Sequence, residues 1–187
     1  MTGTRRYQLK NRAEAQERTR RKITEVTLEL HGEIGPARTT IAEIAARAGV
    51  SRPTVYNQFP DELSLFAACS AHFAALHPPP ELSGLGLEQA LGTQYAFYAE
   101  NQRVLGNVYR DGETIPALGQ VLHGVRERFA LVVADLVREL GTRGNRRLRA
   151  TAVVALALEF NTWRSLDRSG LAPAAAAALM AGLIRTI

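Results

Sequence analysis

Residues 39–66 read TTIAEIAARAGVSRPTVYNQFPDELSLF, and this stretch decides the fold of the amino-terminal part of the chain. Thr40 is followed three residues later by Glu43, which is the spacing of a capping box at the start of a helix. Gly49 stands where that helix must end in a left-handed conformation, and Ser51 is a good cap for a second helix. The spacing therefore predicts a helix-turn-helix, a motif whose second helix can lie in the major groove of DNA.

The second helix of this motif is short and polar. Its side chains suited to base edges and phosphates are Arg52, Thr54, Tyr56, Asn57 and Gln58. An ordinary helical hairpin is the alternative, because capped helices joined by a glycine turn are common. So short a helix supplies little core, however, and its polar composition favours DNA binding over a purely structural role.

The segment from about residue 20 to residue 77 resembles the DNA-binding domain of the TetR family of bacterial transcriptional regulators. In the first helix and the turn after it, the matched positions are Arg20, Ile23, Val26, Thr27, Leu30, Gly35, Thr39 and Thr40. The helix-turn-helix adds IA at 44–45, AGVS at 48–51, TVY at 54–56 and Phe59. The resemblance implies a homodimer that binds an inverted-repeat operator and a helical second domain that holds a small molecule.

Two positions depart from the family pattern. His31 stands where the family usually has Phe, and Glu62 stands where it usually has a Lys that meets a phosphate. Asp61 is a suitable cap for the following helix, and Glu62 complements the helix dipole. We therefore expect the local fold to be kept and DNA affinity to lean more on the amino-terminal residues. Whether Glu62 weakens DNA binding is left open.

The residues of the motif divide by chemistry and by resemblance into reading and positioning groups. Arg52 suits a bidentate contact with guanine, while Pro53 and Thr54 suit a thymine methyl group or a phosphate. Tyr56 and Gln58 stand where the family holds phosphates, Asn57 suits a base or the backbone, and Thr40 suits a phosphate at a helix N-terminus. The full set of candidate DNA-contacting residues is Arg5, Arg6, Arg38, Thr40, Ser51, Arg52, Pro53, Thr54, Tyr56, Asn57 and Gln58.

The excess of positive over negative charge lies entirely in the amino-terminal third of the chain. The net charge is +5, with 11 Lys and Arg against 6 Asp and Glu in residues 1–60 and 12 of each in residues 61–187. This excess lies with the helix-turn-helix, where a polyanion would dock. Residues 1–17 are expected to form a basic, mobile arm, in which Arg5 and Arg6 could follow the DNA backbone or enter the minor groove. A solubilising tail without contacts is the alternative.

Secretion, membrane insertion and catalysis find no support in the sequence. The basic N-terminus lacks the apolar core of a signal peptide, and Cys69 is the single cysteine, which suits a reducing cytoplasm. Cys69 and His72 could form half of a metal site, but no second pair accompanies them. No nucleophile elbow, Walker loop or dinucleotide fingerprint is present. We therefore expect a cytoplasmic protein that is not an enzyme, with no cofactor and no metal.

The rest of the chain reads as helix after helix, without strand-like alternation. Helical patterns cover residues 87–100, 102–110, 118–140 and 147–168, and a final helix runs to the C-terminus. We expect an all-α fold of about nine helices, with a three-helix DNA-binding domain over residues 18–62 and a helical ligand-binding and dimerisation domain over residues 63–187.

Two surfaces of the second domain are predicted from residue type. Aromatic and polar side chains that could enclose a small molecule are Phe73, Tyr95, Tyr98, Asn101, Asn107, Arg110, Phe129 and Trp163. Large apolar side chains among small ones on the last helices, expected at the dimer interface, are Leu156, Phe160, Trp163, Leu179 and Leu183. Packing in an ordinary core is the alternative for each.

The most economical function is a ligand-responsive regulator, most simply a repressor, that a small molecule releases from double-stranded DNA. The first alternative is a constitutive or architectural DNA-binding protein without an effector. The second is a helical small-molecule-binding or catalytic protein in which the helix-turn-helix is only structural. Salt-dependent DNA affinity separates the second alternative from the others.

Overall fold

The computed structural model describes residues 3–186, with the side chains of residue 7 and residues 11–186. Within that range the chain forms helices and no strand, so the all-α class is confirmed. The α-helices are α1 (Gly3–Glu33), α2 (Ile41–Ala48), α3 (Arg52–Gln58), α4 (Glu62–Leu76), α5 (Leu87–Glu100), α6 (Gln102–Asp111), α7 (Pro116–Glu139), α8 (Gly144–Leu158), α9 (Phe160–Arg168) and α10 (Pro173–Arg185). A 3₁₀ turn, Pro36–Arg38, joins α1 to α2.

The local signals at the helix ends are confirmed. Thr40 Oγ1 accepts a hydrogen bond from the Glu43 N–H at 3.2 Å, and Glu43 Oε2 accepts one from the Thr40 N–H at 3.0 Å, which completes the capping box. Gly49 has φ 70° and ends α2 in the left-handed region, where glycine is favoured. Ser51 caps α3 and Asp61 caps α4, as their positions predict.

A small hydrophobic core holds α1 to α4 together. Its largest members are Ile23, Val26, Leu30, Ile44, Val55, Phe59 and Leu65. Ile44, Val55 and Phe59 are thus core residues of the motif. The Arg20 guanidinium lies 4.1 Å from the centre of the Phe59 ring and donates a hydrogen bond to the Gln58 carbonyl. This contact fixes the end of α3 against α1, so the orientation of α3 is set by tertiary packing.

The second domain is a helical bundle with its own core. Helix α5 packs along α10, α7 packs along α8, and α4 packs against α7. The largest fully buried side chains of this core are Trp163, Tyr95 and Phe160. Within residues 3–186, no helix combines the length and the apolar composition that crossing a membrane requires.

Residues 147–168 do not form the single helix that their composition predicts. The chain turns at Glu159, whose ψ of 139° is extended, and this ends α8 and begins α9. The carbonyl groups that lose helical partners at the break accept hydrogen bonds at 2.7 Å from two hydroxyls of α5, Tyr95 to Ala157 and Tyr98 to Leu158. Because this compensation comes from a helix about 60 residues away, no local signal marks the break.

The expected amino-terminal arm is helical backbone from Gly3 onwards, continuous with the rest of α1. The Ala, Glu, Gln and Arg residues of this stretch are strong helix formers, which accounts for the difference from an irregular arm. The side chains of residues 11–18 are exposed. The side chains of Arg5 and Arg6, which were assigned to DNA contact, lie outside the described residues.

Candidate DNA-binding surface and internal cavity

Helix α3 presents a continuous polar face to solvent. Arg52, Pro53, Tyr56 and Asn57 are exposed, and Thr54 is partly exposed. Tyr56 is 57% exposed, which is a large aromatic surface to leave in water without a partner. The opposite side of the helix is closed by buried Val55. The residues assigned to base and phosphate contact are therefore brought together on one face, while the apolar residues of the motif anchor it.

The N-terminus of α2 is already occupied by a carboxylate, that of Glu43. Thr40 Oγ1 donates to Glu43 Oε2 at 2.8 Å, and hydrogen bonds from the Thr40 side chain and N–H hold the pKa of Glu43 below its usual value. A DNA phosphate that binds at the N-terminus of α2 would share this site with the Glu43 carboxylate. Arg38 is exposed, and its Nε donates to the Ile34 carbonyl at 2.7 Å, which leaves the rest of its guanidinium available to an anion.

Helix α1 adds basic side chains on the same domain. Arg12, Arg18, Arg21 and Lys22 are all exposed along it. Glu62, in the first turn of α4, is exposed as well, so a carboxylate stands where the family pattern has a lysine. The DNA-binding domain therefore exposes basic side chains on α1 and a carboxylate at the start of α4.

A cavity of about 380 Å³ lies between α1, α4, α5, α6 and α7. This central cavity is lined mainly by apolar side chains, the largest of which are Phe66, Phe73, Phe97, Leu118, Leu122 and Phe129. Its volume and apolar wall are those of a small-molecule site. His77 and the charged side chains of Glu81 and Arg128, on its rim, are exposed.

Four buried polar side chains line the central cavity: His31, Gln94, Tyr98 and Tyr109. The Tyr98 hydroxyl donates to the Leu158 carbonyl at 2.7 Å, and the side chains of Gln94 and Tyr109 lie near it. Burial raises the pKa of Tyr109 to about 12 and that of Tyr98 well above its usual value. Both hydroxyls therefore stay protonated at neutral pH.

His31 is 4% exposed and lies beside Phe66, with 5.5 Å between the ring centres. Burial lowers the pKa of His31 to about 4, although the nearby Asp111 carboxylate acts in the opposite direction. Its imidazole is therefore neutral at pH 7, with one ring nitrogen able to donate a hydrogen bond and the other able to accept one.

The residues predicted to enclose a small molecule are only partly brought together. Phe73, Tyr98 and Phe129 line the central cavity. Tyr95 caps α8, Trp163 is fully buried beside Tyr98 and Phe160, and Asn101 donates to the Phe97 carbonyl at 2.9 Å. Asn107 and Arg110 lie on the face of α6 opposite the cavity, against α1.

That opposite face of α6 forms a joint with the DNA-binding domain, which we call the α1–α6 joint and define by Asn107, Arg110 and Asp111. Asn107 Nδ2 donates to the carbonyls of His31 at 2.9 Å and Gly32 at 3.1 Å. Asp111 Oδ2 accepts from the Ala37 N–H at 2.9 Å, in the turn that precedes α2. Helix α6 therefore touches the cavity on one side and the helix-turn-helix domain on the other.

Three residues of these sites are absent from the sets predicted from the sequence: His31, Asp111 and Gln94. The available signal for His31 was its replacement of the Phe that the family pattern has. Asp111 and Gln94 carry no such signal, because their partners are distant in sequence.

A second cavity of about 370 Å³ lies between α7 and α8 and shares Tyr98, Tyr109 and Phe129 with the first. Its wall holds an ion pair between Arg126 and Glu159, 3.5 Å apart. These shared aromatic side chains form the partition between the two cavities.

The outer sides of α8 and α10 form an exposed apolar surface, the α8–α10 face. Leu156, Leu179 and Leu183 are 56%, 45% and 53% exposed, among exposed small residues such as Ala152 and Gly182. The assignment of Phe160 and Trp163 to a dimer interface is corrected. Both are 0% exposed, because the break at Glu159 turns them into the core, where a partner chain does not reach them.

Residues 23–69 match a family described as bacterial regulatory proteins, tetR family. An uncharacterized HTH-type transcriptional regulator of Mycobacterium bovis is 49% identical over 53 residues, which are 28% of this chain and 28% of that protein. One from Mycobacterium tuberculosis is 54% identical over 43 residues, 22% of this chain and 23% of its own. The matched stretch thus spans about a quarter of the length of these relatives.

Solved structures resemble almost the whole chain. A transcriptional regulator from a Rhodococcus species superposes with a TM-score of 0.63 at 18% identity, over 88% of this chain and 95% of its own. A tetR-family transcriptional regulator from Streptomyces coelicolor does so with a TM-score of 0.58 at 25% identity, over 90% of this chain and 78% of its own. The likeness at these identities concerns the fold.

Proposed function

Since the chain belongs to the TetR family of bacterial regulatory proteins, we propose that it is a sequence-specific transcriptional regulator of the cytoplasm. It binds an inverted-repeat operator as a homodimer, acts as a repressor, and leaves the DNA when a small molecule enters the central cavity. The observation that supports this most is the exposed polar face of α3, held in place by a buried apolar side.

DNA recognition is assigned to α3 in the major groove. Arg52, at its N-terminal end, is exposed and suits a guanine edge, while Tyr56 suits a phosphate. The exposed basic residues of α1 add backbone contacts that do not depend on sequence. We keep Arg5 and Arg6 as candidates for the same role.

Dimerisation is assigned to the α8–α10 face. Exposed leucines among small residues on two adjacent helices favour close packing against a second copy, which forms a four-helix interface. Two-fold symmetry would then place two α3 helices about 34–36 Å apart, one helical turn of DNA. The operator is therefore expected to be an inverted repeat.

Release by a ligand is assigned to α6. Val104, Leu105, Val108 and Tyr109 of this helix line the central cavity, and the α1–α6 joint lies on its other side. A ligand that shifts α6 would shift α1 and the turn before α2 in the same movement. A difference in ligand affinity between the two arrangements of about 1–3 kcal/mol is enough for useful control.

The test is recovery of genomic fragments by the purified protein at near-physiological salt, followed by sequencing. An enriched inverted repeat, in which Arg52→Ala loses the preference at one position of each half-site, supports a dimeric sequence-specific regulator. Uniform binding without enrichment supports the architectural alternative. Absence of any salt-dependent DNA affinity rejects DNA binding altogether.

A further inference from the structure

We propose that the central cavity binds a neutral molecule with an apolar, ring-sized body and one uncharged hydrogen-bonding group, and that this group pairs with the His31 imidazole. The inference rests on the proposed function, which assigns the cavity to a small molecule, and it specifies the chemical class of that molecule. His31 becomes the residue that selects it.

The polar groups on the cavity wall differ in their hydrogen bonding. The Tyr98 hydroxyl donates to the Leu158 carbonyl at 2.7 Å, and Gln94 and Tyr109 lie near it. The His31 ring forms no hydrogen bond with any of residues 11–186. Its main-chain carbonyl is occupied by Asn107, but its ring nitrogens are left for a ligand.

His31 occupies a buried position on the cavity wall. The side chain is 4% exposed, forms part of the cavity wall and is flanked by the Phe66 ring. Because the imidazole lies on the cavity wall at a buried position, a ligand group that bonds to it does so away from bulk water, where a hydrogen bond is electrostatically stronger. A phenol, alcohol or amide would supply such a group.

Among the described residues, the buried part of the cavity wall is uncharged. Cys69, on the cavity wall and also buried, keeps its proton, because burial raises the pKa of its thiol to about 12. The charged side chains of Glu81 and Arg128 are exposed on the rim. Within the described wall, then, a buried anion or cation would lose its hydration without gaining a charged partner. An ionised group is therefore excluded from the buried part of the cavity.

The position of His31 also connects a bound ligand to the DNA-binding domain. His31 lies in the last turns of α1, and its carbonyl is one of the two groups that Asn107 holds in the α1–α6 joint. A ligand anchored on the His31 ring therefore bonds to the same residue through which α6 contacts the DNA-binding domain. The anchor and the joint share one residue.

The experiment compares three probes of the same size by titration calorimetry at pH 7: naphthalene, 2-naphthol and 2-naphthoate. The wild-type protein should bind 2-naphthol about tenfold more tightly than naphthalene, the gain of one hydrogen bond, and 2-naphthoate most weakly. In His31→Phe the ratio of 2-naphthol to naphthalene affinity should fall to within about twofold. His31→Gln, which keeps a donor and an acceptor, should retain a preference for 2-naphthol.

Four results would overturn the inference: equal binding of naphthalene and 2-naphthol, tightest binding of 2-naphthoate, an unchanged ratio in His31→Phe, or no binding of any probe by the wild-type protein. Circular dichroism of each variant establishes that it is folded before it is titrated. The operator experiment on the wild-type protein is independent of these probes. If the wild-type protein did not bind DNA, the proposed regulator would be rejected while the probe preference remained valid. If it bound an operator but lacked the expected probe preference, only the ligand class would be rejected.

Discussion

The carboxylate of Asp111 accepts a hydrogen bond from the main-chain N–H of Ala37 at 2.9 Å, which ties the end of α6 to the turn that leads into the helix-turn-helix. Arg110 donates to the same carboxylate at 2.7 Å and 3.2 Å. Burial acts to raise the pKa of Asp111, but the hydrogen bonds from Arg110 and Ala37 hold this pKa below its usual value. Gly35 lies against this group with φ 90°, and a Cβ there would stand 2.8 Å from Asp111 Oδ2. The two domains therefore meet through a charged acceptor at a point where a side chain does not fit.

Replacing Asp111 by Ala should destabilise the protein by about 2 kcal/mol, because it leaves the Ala37 N–H without its charged acceptor. Urea unfolding followed by circular dichroism measures the change. The matched control is Asp135→Ala, which removes an exposed partner of Arg138 on α7 and should cost less than about 1 kcal/mol. Equal losses in both variants would show that the Asp111 contact contributes nothing special to stability.

Arg52→Ala and Tyr56→Phe should weaken DNA binding in different ways. Arg52→Ala removes a side chain assigned to a base edge, so the base preference at one position of each half-site should be lost. This preference is worth about 1–3 kcal/mol of binding free energy. The second removes a hydroxyl assigned to a phosphate and should weaken all sequences alike. Competition binding with single-position operator variants checks both. The same uniform loss in the two variants would contradict the division into reading and positioning contacts.

Leu183→Glu should convert the proposed dimer into monomers, since it places a carboxylate within the α8–α10 face. Leu183 is 53% exposed in the single chain, so the monomer itself should stay folded. Analytical ultracentrifugation measures the mass, and circular dichroism checks the fold. Leu76→Glu is the control, because Leu76 is 58% exposed at the end of α4 and away from this face. Dissociation by both changes, or by neither, would exclude the interface assigned here.

The stability of the protein should fall between pH 6.5 and pH 4 because of His31. The imidazole has an ordinary pKa of 6.5 in the unfolded chain and a pKa lowered to about 4 in the fold, so in this window the unfolded state binds more protons. From pH 7 to pH 5 the contribution of His31 amounts to about 2 kcal/mol of lost stability. Its contribution is fully present above pH 6.5.

Unfolding by urea at several pH values, on the wild type and on His31→Phe, isolates this contribution. The variant lacks the titrating group, so its stability should change less over the same window. Asp111, the charged group that acts on His31, has a lowered pKa and stays ionised across it. Parallel pH profiles of the two proteins would show that His31 is not buried in the neutral form.

The amino-terminal domain could be predicted almost entirely from the sequence. Its caps at Thr40, Ser51 and Asp61 and its left-handed Gly49 are local signals that act over three or four residues. The second domain could be predicted only as a series of helices. The break at Glu159 was missed because it depends on tyrosine hydroxyls of α5, and with it the burial of Phe160 and Trp163.

The sequence by itself determined the helix-turn-helix, the polar face of α3 and the all-α class, because capping, backbone conformation and helical periodicity are properties of neighbouring residues. Only the tertiary structure decided which side chains enclose the cavity and which join the two domains. Asp111 and Ala37 are 74 residues apart, and Asn107 and His31 are 76 apart. Contacts at such separations arise from the packing of whole helices against one another, which local sequence patterns do not encode.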